Sequence, residues 1–120
     1  MAVVGNYLKQ GRSILLDSVN DWTHWAEPAG GAGLVDITLE FSADWNGTVT
    51  FQRGVKVDGS YVSDPVTATN LNGAGTATTS TGGASAVENW RVDSSGGATR
   101  VEITTFVAGS VEVTFHVSEG

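Results

Sequence analysis

The side chains of this sequence that could carry out catalysis are two histidines and thirteen acids, and neither group has the spacing of an active site. His24 stands between Trp22 and Trp25, and His116 falls in an alternating apolar segment near the end of the sequence. Neither belongs to a His-x-His or His-Glu-x-x-His pattern, so a histidine metal site has no local support. We expect both histidines to be surface or packing residues rather than catalytic bases.

The acidic residues raise the question of a glycosidase, which needs two carboxylates facing each other across a sugar. Glu40, Glu102 and Glu112 alternate with apolar residues, which predicts that they lie on solvated strand faces. Asp93 lacks the spaced oxygen ligands of a calcium site. There is no cysteine, and the glycine clusters lack the Gly-Lys-Ser/Thr ending of a phosphate loop. We expect a protein that is not an enzyme, with no catalytic residue, metal or cofactor.

The tryptophans are the most informative side chains, and they allow two interpretations. Trp22, Trp25, Trp45 and Trp90 could form a platform on which sugar rings stack, with Trp45, in a predicted turn, as the sugar-stacking candidate. Alternatively they pack in the core and at subunit contacts, where indoles supply large apolar areas. The second interpretation is favoured. It places Trp90 in the core and uses Trp22 and Trp25 as anchors of the N-terminal segment.

Charge excludes one class of partner. Six basic and thirteen acidic residues give a net charge of −7 and a pI near 4.5, which argues against nucleic-acid binding. Residues 1–16 contain Lys9 and Arg12 and no acid, by chance or as a basic arm that docks on an acidic neighbour. No targeting segment or membrane span is visible, so we expect synthesis in the cytoplasm and no membrane partner.

The elements that must position these side chains are strands. Apolar and polar residues alternate with a period of two from residue 34 onward, in the segments 35–41, 48–52, 101–105 and 111–117. Asp58-Gly59 predicts a hairpin between two short strands, and the Ala108-Gly109 break predicts a second hairpin. The pattern predicts an all-β fold, an antiparallel β-sandwich or jelly roll with an N-terminal arm.

The composition divides the chain into three parts. Residues 1–26 form an N-terminal arm or extension, residues 27–33 a Gly-rich joint, and residues 34–120 the sandwich. Residues 70–86 contain few large apolar side chains, which predicts a long surface loop or a thin strand plus loop.

The N-terminal segment has two possible arrangements. Residues 13–17 could be an edge strand, with residues 21–25 packing indole onto the sandwich. Alternatively the segment is an extended arm that leaves its own domain and needs a partner for its apolar side chains. We predict that it contacts a partner protein or a sister subunit, through Tyr7, Leu8, Lys9, Arg12, Ile14, Leu15, Leu16, Trp22 and Trp25.

Two segments give the sequence a family resemblance. Gly47-Thr-Val-Thr-Phe51 is followed by Val57-Asp-Gly-Ser-Tyr61, and the closing part reads Arg100-Val-Glu-Ile-Thr-Thr-Phe-Val-Ala-Gly-Ser-Val-Glu-Val-Thr-Phe115. The pattern resembles small β-sandwich virion proteins of tailed phages, over roughly residues 34–118. The sequence departs from it in its aromatic N-terminal segment and at Arg53-Gly54.

The resemblance implies a structural protein and carries over no catalytic residue. It implies a capsid decoration (cement) protein that binds the major capsid protein at the capsid surface of the virion, as a homotrimer. The alternatives are a tail- or fibre-associated structural protein and a carbohydrate-binding β-sandwich module.

Overall fold

A computed structural model describes residues 13–23, 25–26, 34–71, 75–82, 87–93 and 97–117. The predicted joint at 27–33, His24 and the predicted contact residues Tyr7, Leu8, Lys9 and Arg12 lie outside the described residues. Ten strands run in the order β1 Ser13–Leu16, β2 Leu34–Phe41, β3 Asn46–Val57, β4 Ser60–Pro65, β5 Ala68–Asn70, β6 Thr76–Ala77, β7 Thr79–Ser80, β8 Val87–Asp93, β9 Ala98–Ala108 and β10 Val111–Val117. No helix long and apolar enough to span a membrane occurs in these ranges.

The strands form an antiparallel β-sandwich, which confirms the predicted fold class. The first sheet has the order β1-β10-β2-β8-β5-β6. In the second sheet, β9 lies on one edge of β3, while β4 and the short β7 pair with β3 along different stretches. The core is contributed by both sheets, mainly by Val35, Ile37, Leu39, Val49, Phe51, Trp90, Val92, Val101, Ile103, Val111, Val113 and Phe115. These residues alternate with outward-facing ones, as the period of two requires.

The Asp58-Gly59 hairpin is present, and its turn explains its residues. Asp58 has φ 53° and Gly59 has φ 84°, so both central residues have the positive φ of a type I′ turn. The expectation that both strands are short is wrong for β3, which has twelve residues. Residues 70–86 follow the thin-strand alternative where they are described, since β6 and β7 lie there.

The second predicted hairpin is wrong. β9 pairs with β3, whereas β10 pairs with β1 and β2, so the chain changes sheets at Gly109. Each strand has one apolar face, and the two strands bury these faces in the same core from opposite sheets. Gly109 is required at this corner because its φ is +92° and an added Cβ would lie 2.6 Å from the Cα of Trp45.

The described part of the N-terminal segment belongs to the sandwich. β1 is the edge strand of the first sheet and pairs with β10 from Ser13↔Thr114 to Leu16↔Val111. Residues 20–23 and 26 then pair with β9 in the second sheet. The segment therefore contributes to the edges of both sheets. Of the two arrangements that the sequence allowed, the structure shows the edge strand.

Candidate binding surface

Residues 20–23, 25 and 26 act as an irregular edge strand beside β9. The backbone N–H groups of Asn20, Thr23 and Ala26 donate to the carbonyls of Ile103, Val101 and Thr99 at 2.9, 2.9 and 2.7 Å. Ile103 and Thr99 donate back to Asp21 and Ala26. The Thr23 hydroxyl is buried and accepts from the backbone N–H of Val101 at 3.0 Å. These bonds fix where the two neighbouring indoles leave the backbone.

Trp22 and Trp25 meet over one cation on the outer face of the second sheet. Trp22 is the bridge partner of Glu102, so both side chains stand on the face opposite the core residues Val101 and Ile103. The guanidinium carbon of Arg100 lies 4.6 Å from the ring centre of Trp22 and 4.5 Å from that of Trp25. Both distances are within cation–π range.

Trp25 extends this arrangement across β3 to β4. Its ring lies over Gly54, where an added Cβ would be only 2.7 Å from the indole Cη2. Beyond Gly54, the ring centre is 4.9 Å from that of Tyr61, with the planes tilted by 32°. We call Trp22, Arg100, Trp25 and Tyr61 the aromatic face.

The polar groups beside the aromatic face are bonded to one another. Arg100 Nε donates to Gln52 Oε1 at 2.8 Å, and Gln52 Nε2 donates to Glu102 Oε1 at 2.7 Å. Glu102 also lies 3.7 Å from the Arg100 Nη2. Burial lowers the pKa of Arg100 from its ordinary value, and the charge of Glu102 opposes that effect. Arginine nevertheless remains protonated in proteins, so the charge is held inside a local network.

Exposure within the aromatic face is uneven. Trp22 is 49 % exposed, whereas the side chain of Arg100 is only 16 % exposed. Trp25 and Tyr61 are intermediate. Trp22 is therefore the member of the face that offers a large apolar surface to a partner.

The structure separates the predicted contact residues of β1. Leu16 is buried in the core, and Ile14 packs against the core from a partly buried position. Leu15 points the other way and is 57 % exposed. The predicted contact surface therefore retains Leu15, Trp22 and part of Trp25 among the residues described. Val19, which is 53 % exposed between them in sequence, was not predicted.

Trp45, the alternative sugar-stacking residue, is partly buried in an aromatic cluster. Its ring centre lies 5.3 Å from that of Phe41 and 6.2 Å from that of Phe106. Its Nε1 is buried, and it has no hydrogen-bond partner in the part of the chain that the structure describes. An indole packed on two rings has little surface left for a sugar.

Three residues that build or shape the aromatic face were not expected from the sequence: Arg100, Gly54 and Tyr61. Arg100 directly precedes the predicted strand at 101–105, and nothing in its neighbours indicates that the indoles of Trp22 and Trp25 lie on it. Gly54 was noted only as a departure from the family pattern. The signal that could have pointed to it is a glycine in the interior of a strand, which often marks the close approach of another group.

The acids do not converge on a reaction centre among the residues described. Asp36 forms a two-point pair with Arg91, at 2.7 and 3.0 Å, across the outer face of the first sheet. The Asp36 bond and charge raise the pKa of Arg91. Glu88 accepts from Ser80 and Trp90. In the described ranges no three His, Cys, Asp or Glu side chains form a group that could hold a metal ion.

A second exposed apolar area lies on the β3–β4 hairpin. Val55 and Val62 are cross-strand partners, and both are exposed, as is Val57 nearer the turn. This area is purely aliphatic. It lacks the Trp, Tyr and Arg side chains that dominate binding energy at protein interfaces, so the aromatic face is the better candidate.

The fold is similar to two solved structures of low sequence identity. No protein-family model matches the sequence, and no curated protein matches it either. The PBSX exported protein XepA superimposes with a TM-score of 0.57 and 21 % identity, covering 96 % of this chain. This chain spans 43 % of the length of XepA. The SPBc2 prophage-derived protein YomS superimposes with a TM-score of 0.51 and 12 % identity, covering 87 % of this chain and 93 % of YomS. At these identities the likeness establishes the fold alone.

Proposed function

We propose that this chain is a non-catalytic structural module of a phage particle, and more specifically a capsid decoration (cement) protein. The observation that carries the proposal is the aromatic face, because it presents a half-exposed Trp22 on a support of Arg100 and Trp25. Tryptophan, tyrosine and arginine are the residues most enriched where protein interfaces concentrate their binding energy.

The phage association is supported by the fold and by the sequence pattern together. One structural neighbour is described as an exported protein of PBSX and the other as prophage-derived, and these words describe those proteins. The Gly-Thr-Val-x-Phe segment, the Asp-Gly turn and the closing strands resemble virion proteins of the same architecture. We bring the two together as a proposal for this chain.

The distribution of charge gives the module an orientation. The outer face of the first sheet carries four acidic residues, Asp36, Glu40, Asp93 and Glu112. Among the described residues of this face, Arg91 is positively charged. The aromatic face on the opposite side is close to neutral, since Arg100 and Glu102 offset each other. A decoration protein in this orientation would turn its aromatic face to the capsid and its acidic face to solvent, which favours solubility of the particle.

The test is binding of purified protein to particles of the encoding phage prepared without its gene. We expect wild-type protein to bind and Trp22→Ala to lose about tenfold or more in affinity, the effect of a central hot-spot residue. Val107→Ala is the matched control, because Val107 is 66 % exposed on β9 away from the aromatic face. Equal binding by the wild type and Trp22→Ala would contradict the aromatic face as the attachment surface.

The same experiment separates a capsid protein from a tail or fibre component. Separately purified capsids and tails are offered to the protein, and we expect it to bind the capsids. Retention on tails alone would assign the tail-associated role instead. Deletion of residues 1–20 is a poor substitute for Trp22→Ala, because it would remove the buried Leu16 and unseat β1.

A carbohydrate-binding module is the second candidate, and the exposed Trp22 is the observation that favours it. Sugars stack on flat apolar rings, and part of this indole is accessible. Its test is a glycan array, followed by a tryptophan-fluorescence titration with any sugar that binds. A glycan signal that Trp22→Ala abolishes would favour this candidate over the capsid.

A further inference from the structure

We propose that Arg100 and Gly54 are positioning residues of the aromatic face, which hold Trp22 and Trp25 ready for an apolar contact. Arg100 itself would form no ion pair with the partner. The inference rests on the proposed function, since it says how the same surface binds. If Arg100 and Gly54 have this role, the partner contacts the aromatic face through apolar or aromatic groups rather than through acidic ones.

The position of Arg100 supports a role inside the protein. Two indole rings lie within 4.6 Å of its guanidinium carbon, and its Nε is committed to Gln52. Glu102 supplies a negative charge at 3.7 Å from the Arg100 Nη2. Because the Arg100 side chain is only 16 % exposed, little of this cation is open to an acidic partner.

Overall charge points in the same direction. The chain carries a net charge of −7, so an acidic partner would be repelled at long range. A contact made through an exposed indole depends on buried apolar area, which salt screens little. Weak dependence on ionic strength is therefore a consequence of this arrangement.

Gly54 holds the other end of the arrangement. The nearest heavy atoms to an added Cβ are Cη2, Cζ3 and Cζ2 of Trp25, at 2.7, 2.8 and 3.1 Å. These atoms are the far end of a side chain, so alanine at this position would push the ring away while the strand stays in place. The displaced ring would leave both Arg100 and Tyr61.

The first experiment needs no partner. NMR of the free protein should show the side-chain protons of Arg100 shifted upfield by the ring currents of the two indoles. We expect Gly54→Ala to reduce this shift while the amide signals of the core strands stay dispersed. Gly59→Ala is the control, since nothing lies within 4 Å of a Cβ at that position of the same hairpin. An Arg100 side chain at ordinary shifts in the wild type would overturn the positioning role.

The second experiment uses the gene-deleted particles. Arg100→Lys keeps the charge but loses the planar guanidinium and its bond geometry, so we expect binding to weaken by roughly tenfold. We expect wild-type affinity to change less than about threefold between low salt and roughly 1 M salt, where the Debye length is about 3 Å. Full binding by Arg100→Lys would contradict the positioning role of Arg100, and a steep loss of wild-type binding with salt would show that the contact is ionic rather than apolar.

The NMR and particle-binding experiments distinguish failure of the proposed function from failure of the positioning inference. If the wild type does not bind particles at all, the proposed function is wrong and the partner chemistry inferred from it is overturned too. The NMR signal of Arg100 still decides whether the aromatic face is preassembled. If particles bind and Gly54→Ala binds as well as the wild type, the function stands and the positioning inference is wrong.

Discussion

The carboxylate of Glu88 accepts a hydrogen bond from the Ser80 hydroxyl at 2.5 Å, which ties β8 of the first sheet to β7 of the second. The same oxygen accepts from the Trp90 Nε1 at 3.0 Å, and the Ser80 Oγ accepts from the backbone N–H of Gly82 at 3.1 Å. A charged side chain at the rim of the core thus satisfies two donors and fastens the short β7 to the sandwich.

Removal of this carboxylate should destabilise the fold. Glu88→Ala leaves the indole N–H and the serine hydroxyl without their acceptor, so we expect the free energy of unfolding to fall by about 2 kcal/mol in urea denaturation. Glu88→Gln keeps an accepting oxygen and should lose less. Glu40→Ala, an exposed glutamate on the outer face, is the control. Equal stability of Glu88→Ala and Glu40→Ala would show that the hydrogen bonds of Glu88 to Ser80 and Trp90 contribute nothing to the stability of the fold.

Two adjacent leucines should differ sharply on truncation. Leu16→Ala empties a fully buried site in the core, and we expect a loss of about 2–5 kcal/mol of unfolding free energy. Leu15→Ala, at an exposed site of the same strand, should change it by less than about 0.5 kcal/mol. Thermal and urea unfolding of both variants decides the matter. If Leu16→Ala is as stable as Leu15→Ala, residues 13–16 do not belong to the sandwich.

Two glycines with positive φ should respond differently to alanine. At Gly109 the new Cβ would meet the backbone of Trp45 and the Ser42 Oγ at 2.6 Å, so we expect Gly109→Ala to unfold the corner or to yield little folded protein. At Gly59 the space is open, and the cost is the left-handed conformation alone, about 1–2 kcal/mol. Circular dichroism and melting temperature compare the two. If the melting temperature of Gly109→Ala is equal to or higher than that of Gly59→Ala, the close packing at the Gly109 corner is contradicted.

Two tryptophans should separate stability from binding. Trp45→Ala removes a ring packed on Phe41 and Phe106, and we expect it to lower the free energy of unfolding by about 3 kcal/mol. Trp22→Ala should instead leave stability nearly unchanged and weaken particle binding. Denaturation curves and binding measurements on both variants test this. If sugar binding depends on Trp45 at temperatures where the variant is folded, the sugar-stacking assignment of that residue is supported after all.

The strands and one turn could be predicted from sequence because their causes are local. Alternation in 35–41 and 111–117 reflects the opposite directions of successive side chains, and the apolar residues of 35–41 and 111–115 are buried. Asp58-Gly59 encodes its turn because both residues tolerate positive φ. The same alternation distinguishes Leu15 from Leu16, although a list of apolar residues treats them alike.

Sheet membership and the aromatic face were decided by the tertiary structure. The segments that became β9 and β10 each predict a strand with one apolar face, but nothing local says whether they pair or face each other across a core. Arg100 lies far along the chain from Trp22 and Trp25, and only the pairing of residues 20–26 with β9 brings the three together. Local alternation fixes which side of a strand is apolar, whereas the partner of each strand depends on contacts between distant segments that form together as the core closes.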